Sequence, residues 1–388
     1  MTPAARVAAA IEVLDRIGEG TAAEKALTNW ARTSRYAGSK DRAAVRDHVF
    51  EVLRNRRSFA RLGGGETGRA LLLGALRASG TDPATLFSGQ GYGPSAVTQT
   101  EASFVPGRAE RAVELDCPAW LEAPLQKALG EDFAPVMQLQ KTRAPVFVRA
   151  NLLKTTPEAA AMALRAEDIE TRPHPLAQTA LELMTNPRRL RGSAAFRDGL
   201  VELQDVASQA VCDMLPVLQN ARYLDYCAGG GGKTLALAAR GVANIFAHDA
   251  DEKRMTDLPA RAKRAGAKVA LINAKEIAQA PAFDVIIADV PCSGSGAWRR
   301  SPDGKWRLTV DKLDELLAIQ RGILREISDL SGPRAQIAYI TCSLLHEENE
   351  AQIAGFLSEN PQWHLTKERR FSPLEGGDGF YLALLKRE

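Results

Sequence analysis

From Val206 onward, apolar segments of strand length alternate with amphipathic helices, and this alternation constrains the fold more than any other feature of the chain. The predicted strands are ARYLDYCA, ANIFAHD, KVALIN, FDVIIADV and AQIAYITC. Helical patterns separate most of them, including the long stretch DKLDELLAIQRGILREISDL. Repeated strand–helix units form a mostly parallel sheet with helices on both faces. Residues 206–388 are therefore predicted to be a doubly wound α/β domain.

Two further domains are predicted before this one. Residues 1–115 show helical periodicity and no strand pattern, so an all-helical domain is expected, ending in a linker rich in Gly, Ser and Pro at 88–108. Residues 116–205 contain the strand patterns VFVRANLLK and GLVELQD around a helix that begins near Pro157. The middle section is therefore predicted to be a small α/β domain.

The composition excludes several classes of protein. Five cysteines without a close pairing pattern favour reduced thiols in the cytoplasm. The five histidines do not cluster and no CxxC occurs, so no metal site is expected. No window approaches the ~20 apolar residues of a membrane span, and the N-terminus lacks the pattern of a signal peptide. No membrane partner is expected.

A basic segment at residues 32–57 contains eight Lys or Arg against three acids, although the whole chain has a net charge of only +3. A local excess of this kind suits a polyanion such as nucleic acid. A solvated helix face is the alternative interpretation. Arg42 and Arg46 of this segment are candidate nucleic-acid contacts.

The stretch YLDYCAGGGGKTLALAA reads as a strand, a glycine turn and a helix. The glycines Gly229–Gly232 let the backbone approach a ligand and present N–H groups at a helix start. A P-loop would need glycine at Cys227 and a GxGxxG motif would need it at Thr234, so neither motif fits. Asp249 ends the next strand, where an acid usually binds ribose hydroxyls, and Asn273 ends the third. This layout predicts an adenosine site for S-adenosylmethionine or NAD, with a plain tight turn as the alternative.

Two cysteines follow neighbouring predicted strands. Cys292 comes after the fourth strand, beside Asp289, and Cys342 comes after the fifth. These strand ends open onto the same edge as the glycine turn, so thiols, acid and adenosine site would share one cleft. A free cysteine alone is most often a buried spectator. The chemistry that fits the set is methylation of cytosine C5, in which a thiolate adds to C6, an acid hydrogen-bonds the ring, and a second thiol assists release.

The segment WRRSPDGKWR at 298–307 interleaves tryptophans with cations. Aromatic rings stack on bases and cations bind phosphates, which suits single-stranded or looped RNA. Tryptophans that merely pack are the alternative. The candidate RNA contacts here are Trp298, Arg299, Arg300 and Lys305.

Several motifs together resemble the Nop/Sun family of RNA (cytosine-5)-methyltransferases. They are DYCAGGGGKT, DVPCSGSGAWRRSPDGKW, YITCSLLHEEN and GGDGFYLALL, preceded by VFVRANLLK and LVELQDVASQ. The basic helical N-terminus resembles the NusB-like domain of the bacterial member that modifies 16S ribosomal RNA. The resemblance implies a Rossmann-like methyltransferase sheet behind a small α/β domain and a NusB-like domain. It also implies S-adenosylmethionine as cofactor and RNA as partner, ribosomal RNA ahead of tRNA.

The same resemblance implies roles for individual residues. Cys342 of the Thr–Cys motif is the implied nucleophile, and Cys292 of the Pro–Cys motif is implied in product release. Asp289 is implied to contact the cytosine next to the cofactor. The implied cofactor contacts are Cys227, Ala228, Gly229, Gly230, Gly231, Gly232, Lys233, Asp249, Asn273 and Asp289.

This chain departs from the family pattern at two places. The family usually has Ala-Pro where this chain has Gly229 and Gly230, which loosens the turn without removing its N–H donors. It often has an acid where Asn273 stands, and an amide can still bond the adenine amine.

Three alternatives stay open at this point. A nicotinamide-dependent oxidoreductase is disfavoured by the missing third glycine and the basic, aromatic loop. An inactive RNA-binding or assembly factor is disfavoured by the presence of both cysteines and Asp289. A DNA methyltransferase uses a Pro–Cys thiol as nucleophile, and the additional Thr–Cys thiol favours RNA. Nothing in the sequence requires more than a monomer.

Overall fold

The structure, a computed structural model, describes residues 1–388 and divides into two compact units. Unit 1 comprises residues 1–143 together with 298–307. Unit 2 comprises residues 144–297 and 308–388. The short segment 298–307 therefore leaves unit 2 and packs as part of unit 1.

Unit 1 is built from α-helices, as the sequence predicts for its N-terminal part. The first helix starts at a Thr2 cap, whose hydroxyl accepts from the backbone of Ala5, with Pro3 at the first helical position. Its core packs Trp30 among small and branched side chains such as Val13 and Val49. The helices are α1 (Pro3–Gly18), α2 (Ala23–Thr33), α3 (Ser39–Arg54), α4 (Arg56–Gly63), α5 (Gly68–Ala78), α6 (Gln99–Ala102), α7 (Arg111–Glu114), α8 (Ala119–Leu129), α9 (Phe133–Gln140) and α16 (Pro302–Arg307).

Unit 2 begins with a four-stranded antiparallel sheet in the order β2-β3-β1-β4. Two helices accompany it, and the first starts at a Thr156 cap followed by Pro157. One part of this sheet packs into the main core, where Phe147 lies in one cluster with Val206 and Tyr223. The elements are β1 (Phe147–Ala150), α10 (Pro157–Arg165), β2 (Thr171–Pro173), β3 (Ala180–Leu183), α11 (Ala194–Arg197) and β4 (Val201–Leu203).

The main sheet of unit 2 has seven strands in the order β10-β11-β9-β8-β5-β6-β7. Its strands are β5 (Tyr223–Asp225), β6 (Ile245–Ala247), β7 (Ala270–Leu271), β8 (Phe283–Asp289), β9 (Ser331–Thr341), β10 (Trp363–Phe371) and β11 (Phe380–Arg387). The strands β5 to β9 run parallel, and β10 and β11 are antiparallel. The accompanying helices are α12 (Val206–Met214), α13 (Gly232–Ala239), α14 (Leu258–Ala265), α15 (Ala274–Gln279), α17 (Val310–Asp329) and α18 (Glu350–Glu359).

The predicted doubly wound α/β sheet is confirmed, because separate apolar clusters cover its two faces. The sequence analysis did not predict β10 and β11. The predicted domains 1–115, 116–205 and 206–388 differ from the two compact units. The difference arises because α8 and α9 belong to unit 1, where Asp116 accepts hydrogen bonds from Ser58 and pairs with Lys141. None of the helices combines the length and the apolar character that crossing a membrane requires.

Candidate active site

The glycine turn joins β5 to α13 at the carboxyl edge of the main sheet. Gly229 and Gly231 have φ of +50° and +80°, in the left-handed region that favours glycine. A Cβ on Gly231 would lie 2.2 Å from Cδ1 of Leu258, so a side chain does not fit there. The backbone of Ala228 donates to the carbonyl of His248 at 2.8 Å, which ties the turn to the end of β6. Because its glycines have no side chains, the backbone of this turn is open to close approach at the carboxyl edge of the sheet.

Arginine side chains hold the carbonyl groups of this turn. Arg149 donates to the carbonyl of Gly232 at 3.1 Å, and Arg261 donates to the carbonyl of Gly230. Arg261 and Arg264 both pair with the buried carboxylate of Glu202. These contacts restrain a turn that its four glycines would otherwise leave loose.

Asp249 lies beside the turn, at the position expected for a ribose-binding acid. Its carboxylate accepts from the backbone N–H of Gly229 at 2.9 Å and of Asp251 at 3.0 Å, and it pairs with Arg254 at 3.0 Å. The Arg254 side chain is 55% exposed, so it is the partner that a ligand hydroxyl can displace.

A cavity of about 280 Å³ lies past the ends of β6 and β7. Met255, Leu271 and Ile272 give it apolar walls, and Asn273 and Glu276 add polar groups at its rim. The side chain of Asn273 caps α15 by accepting from the backbone of Glu276 at 3.0 Å. An apolar slot with a polar edge is the kind of lining that small-molecule sites use.

Lys233, the second residue of α13, forms an ion pair with Asp289 at the end of β8. Its Nζ lies 2.6 Å from Oδ2 of Asp289. Burial opposes the charged lysine, but the Asp289 carboxylate prevails and raises the pKa of Lys233. The pair connects the glycine turn to the strand that carries the first cysteine.

Asp225, at the end of β5, is buried beneath the turn. Burial raises the pKa of Asp225 to about 6, and the nearby Asp289 adds to the rise. Thr234 donates to Oδ2 of Asp225 at 2.6 Å, whereas Oδ1 has no protein partner. Sequence reasoning did not select this residue as a site residue.

Cys292 and Cys342 follow the adjacent strands β8 and β9, and their Sγ atoms lie 3.4 Å apart in hydrogen-bonding contact. Both are free thiols. The contact with Cys342 and burial raise the pKa of Cys292 well above its usual value. The Cys292 thiol therefore holds its proton more tightly than an isolated cysteine does. The backbone of Gly296 donates to the carbonyl of Cys342 at 2.9 Å, which fixes the two loops against each other.

Cys227 is the cysteine among the candidate cofactor contacts, and it lies at the start of the glycine turn. Burial and the carboxylates of Asp225 and Asp289 raise the pKa of Cys227. It belongs to the wall beside the turn and not to the thiol pair.

Glu348 is a site residue that sequence reasoning missed. Its carboxylate is fully buried and accepts hydrogen bonds from Ser293 and Ser343, the residues that follow the two cysteines. The motif LLHEEN offered a weak signal, since it follows the end of β9 at the same edge of the sheet.

The predicted RNA contacts in 298–307 need a correction. Trp298 is 2% exposed and Lys305 is 1% exposed, and burial lowers the pKa of Lys305 to about 8. Arg299 is buried and donates to Thr142 and to the carbonyl of Arg143. These three side chains are interior parts of unit 1 and are not available to bind RNA. The packed-tryptophan alternative describes this segment.

The remaining RNA candidates lie at the surface or near it. Arg300 is half-buried, and Arg42 is exposed with its Nε donating to the carbonyl of Ala37 at 2.9 Å. Arg46 is exposed and pairs with Glu24 through both of its terminal nitrogens. Of the two candidates in the basic segment, Arg46 forms an ion pair with an acid and Arg42 does not.

Comparison with known proteins shows the family to which the chain belongs. A family model described as "16S rRNA methyltransferase RsmB/F" matches residues 213–386. A second, described as "Methyltr_RsmF/B-like, ferredoxin-like domain", matches residues 117–188. The ribosomal RNA small subunit methyltransferase B of Yersinia pseudotuberculosis is 32% identical over 294 residues, which cover 71% of this chain and 68% of that relative.

Two solved structures share the fold. The crystal structure of PH0851 aligns over 100% of this chain and 99% of its own, with a TM-score of 0.79 and 23% identity. A methyltransferase homolog protein from Pyrococcus horikoshii aligns over 71% of this chain and 97% of its own, with a TM-score of 0.63 and 23% identity. The predicted Rossmann-like methyltransferase fold and the predicted family are thus confirmed: this chain belongs to the RsmB/F family of 16S rRNA methyltransferases.

Proposed function

We propose that this protein methylates C5 of a cytosine in 16S ribosomal RNA, with Cys342 as the nucleophile and Cys292 as the group that assists release. The observation that carries the proposal is the pair of free thiols 3.4 Å apart on adjacent strand ends. Asp289 precedes Cys292 on the same strand end, and Lys233 links it to the glycine turn. A thiol pair, a carboxylate and an adenosine site in one cleft match the needs of pyrimidine C5 chemistry.

The cofactor of this family is S-adenosylmethionine, which supplies a methyl group on a positively charged sulfur. Asp249 would hold the ribose hydroxyls, and the cavity beside Ile272 and Asn273 would hold the adenine. The left-handed backbone at Gly229 and Gly231 leaves the turn open to close approach. These residues bind and orient, and they take no part in bond making.

Cys342 begins the reaction by forming a bond from its Sγ to C6 of the cytosine. The C5=C6 electron pair moves toward C5, which would then bond to the methyl carbon as the methyl–sulfur bond of the cofactor breaks and leaves its electron pair on sulfur. The Cys292 thiol, whose pKa is raised, lies 3.4 Å from the attacking Sγ, close enough to donate a hydrogen bond to it during attack. Asp289 would accept a hydrogen bond from the exocyclic amine and so orient the ring.

Release requires loss of the C5 proton, after which the electrons of the C5–H bond reform C5=C6 and expel the Cys342 thiolate. The contact with Cys342 is the largest cause of the raised pKa of Cys292. In the covalent adduct Cys342 is a thioether, so this restraint on ionisation of Cys292 is weaker. Once the Cys292 thiol has given its own proton to solvent, it takes the C5 proton as general base and is a thiol again at the end of the reaction.

The substrate assignment follows the family, whose members named above act on small-subunit ribosomal RNA. Arg42 and the neighbouring Arg46 are proposed to contact RNA phosphates. The target base must leave its stack to reach the thiols. We also propose that the protein is a monomer and acts in the cytoplasm. A second substrate to be tested is tRNA.

The test is methyl transfer from labelled S-adenosylmethionine to 16S ribosomal RNA, to small ribosomal subunits and to tRNA, followed by bisulfite mapping. Wild type should give 5-methylcytosine in ribosomal RNA, and Cys342→Ala should give none. Cys292→Ala should accumulate a covalent protein–RNA adduct that shifts on a denaturing gel. Cys117→Ala is the matched control, because Cys117 is a buried thiol of unit 1. Normal methylation by Cys342→Ala, or methylation of tRNA alone, would overturn the assignment.

A further inference from the structure

Glu348 is a buried carboxylate that no lysine or arginine pairs with. It is 0% exposed and lies in the turn between β9 and α18. A buried charge without a counterion is costly unless several hydrogen bonds offset its lost hydration. The hydrogen-bond donors around Glu348 therefore identify the parts of the protein that its carboxylate holds in place.

Four donors converge on this carboxylate. Oε1 accepts from the backbone N–H of Ser293 at 2.8 Å and from Nε2 of Gln320 at 3.0 Å. Oε2 accepts from the hydroxyl of Ser293 at 2.5 Å and from the hydroxyl of Ser343. Both lone-pair directions of each oxygen are thereby used, so the side chain has one permitted orientation.

The two serines are the direct chain neighbours of the two thiols. Ser293 follows Cys292 and Ser343 follows Cys342, and consecutive Cα atoms are only about 3.8 Å apart. Gln320 of α17 also donates to the carbonyl of Pro291 at 2.9 Å, so the Pro–Cys segment is held on both sides of Cys292. One carboxylate thus bridges the two cysteine loops.

Further contacts keep the bridge rigid. Ser295 lies within 3.1 Å of both serine hydroxyls and accepts from the backbone of Leu344 at 2.7 Å. Asn349, next to Glu348, donates to the carbonyl of Ser343 at 2.9 Å and accepts from Thr341 at 2.6 Å. The serine hydroxyls are consumed by these contacts and are not aimed at the thiols.

We propose that Glu348 is a positioning residue of the methylation reaction, which sets the separation of the Cys292 and Cys342 thiols by fixing the residue after each of them. The role in methylation rests on the function proposed above. The control of thiol spacing does not, because it is a property of the free protein.

The first measurement reads the thiol spacing directly. Diamide accepts two electrons and two protons from a pair of adjacent thiols, which become a disulfide. Wild type should form the Cys292–Cys342 disulfide rapidly, as followed by mass spectrometry. Glu348→Ala should slow this reaction at least tenfold, as estimated from the roughly hundredfold effect of a 1 Å misplacement on reactions between held groups.

Glu348→Gln separates geometry from charge. The amide nitrogen can replace Oε2 and donate to both serine oxygens, since a hydroxyl both donates and accepts. Disulfide formation in Glu348→Gln should therefore stay within about threefold of wild type, in contrast to the misplacement in Glu348→Ala. Glu347→Gln is the matched control, because the hydrogen bonds of Ser293 and Ser343 go to Glu348, whereas Oε2 of Glu347 has no hydrogen-bond partner.

The second measurement is the kinetic effect on methylation. Glu348→Ala should lower kcat about 100-fold while KM for RNA and calorimetric affinity for S-adenosylmethionine change less than about twofold. If Glu348→Ala does not fold, Ser343→Ala replaces it, since it removes one of the four donors.

Three outcomes overturn the proposal. They are unchanged disulfide formation in a folded Glu348→Ala or Ser343→Ala, equal losses in the Gln and Ala variants, and a rise in KM alone. If wild type methylates no RNA, the proposed function fails while the diamide comparison still decides whether Glu348 sets the spacing.

Discussion

Lys233 and Asp289 meet at 2.6 Å, but they are buried to very different extents. The lysine side chain is 7% exposed and the aspartate side chain is 35% exposed. Water can therefore solvate the Asp289 carboxylate, whereas the buried Lys233 ammonium depends on the ion pair to offset its lost hydration. This asymmetry determines what each half of the pair contributes.

Asp289→Asn should destabilise the protein more than Lys233→Met does. The first change leaves a buried ammonium without its counterion, which costs about 3 kcal/mol, whereas the second leaves an aspartate that water can solvate. Urea unfolding of both variants measures the difference. Both should lose methylation, because Asp289 is proposed to contact the cytosine and Lys233 holds Asp289 through the ion pair. The reverse order of stabilities would show that the lysine is not the dependent partner.

Asp225 should make stability fall as pH rises through its raised pKa. Its folded-state pKa is about 6, above the usual value of 3.8, so its contribution is complete below about pH 4 and is lost as pH rises through 6. The free energy of unfolding of wild type minus that of Asp225→Asn should therefore fall by about 3 kcal/mol between pH 4 and 7. Denaturant titrations at several pH values measure this difference. Parallel pH profiles of the two proteins would contradict it.

Gly231→Ala should be more harmful than Gly241→Ala. Both glycines have positive φ, +80° and +94°, so both variants pay the strain of about 1 kcal/mol for a left-handed alanine. Only the Cβ at 231 meets another side chain, at 2.2 Å from Leu258, and overpacking adds about 1–3 kcal/mol.

Calorimetry completes that comparison. Binding of S-adenosylmethionine should weaken in Gly231→Ala and stay normal in Gly241→Ala, because only the first glycine lies in the cofactor turn. Equal melting temperatures and equal affinities in the two variants would contradict the assigned packing.

Trp298→Ala should reduce stability and leave the salt dependence of RNA binding unchanged. Truncating a buried tryptophan costs about 3–5 kcal/mol, and Trp298 is buried within unit 1. Arg42→Ala should do the opposite: its unfolding free energy stays within about 0.5 kcal/mol, and the slope of log affinity against log salt falls by about one. Filter binding at several salt concentrations gives the slopes. Weaker RNA binding by a folded Trp298→Ala at every salt concentration would restore the stacking role that its burial argues against.

The sequence predicted the thiol pair but not the carboxylate that joins its loops. Cys292 and Cys342 were found because parallel strands end at one edge of a sheet, a rule that needs only strand order. Glu348 bonds to Ser293, 55 residues away, and such a pairing follows from loop conformation, which no periodicity encodes.

The segment 298–307 shows a different limit. Tryptophan beside arginine or lysine is typical of an RNA-binding loop, and it is equally typical of cations that stack on buried rings. Lys305 lies 4.8 Å from the centre of the Trp306 ring, and Trp306 donates to the carbonyl of Leu53 at 2.6 Å. Leu53 lies 253 residues before Trp306 in the chain, so the sequence alone could not distinguish the two interpretations.

The same segment makes the two units inseparable by a single cut. The chain passes between them after residues 143, 297 and 307. Removing residues 1–143 would strip Trp298, Lys305 and Trp306 of their neighbours and expose them three to eleven residues after Ser295, which contacts Ser293 and Ser343. The N-terminal helices therefore cannot be exchanged for another domain as an independent unit, either in evolution or by protein engineering. A replacement domain would also require a matching replacement of residues 298–307, which pack as part of unit 1.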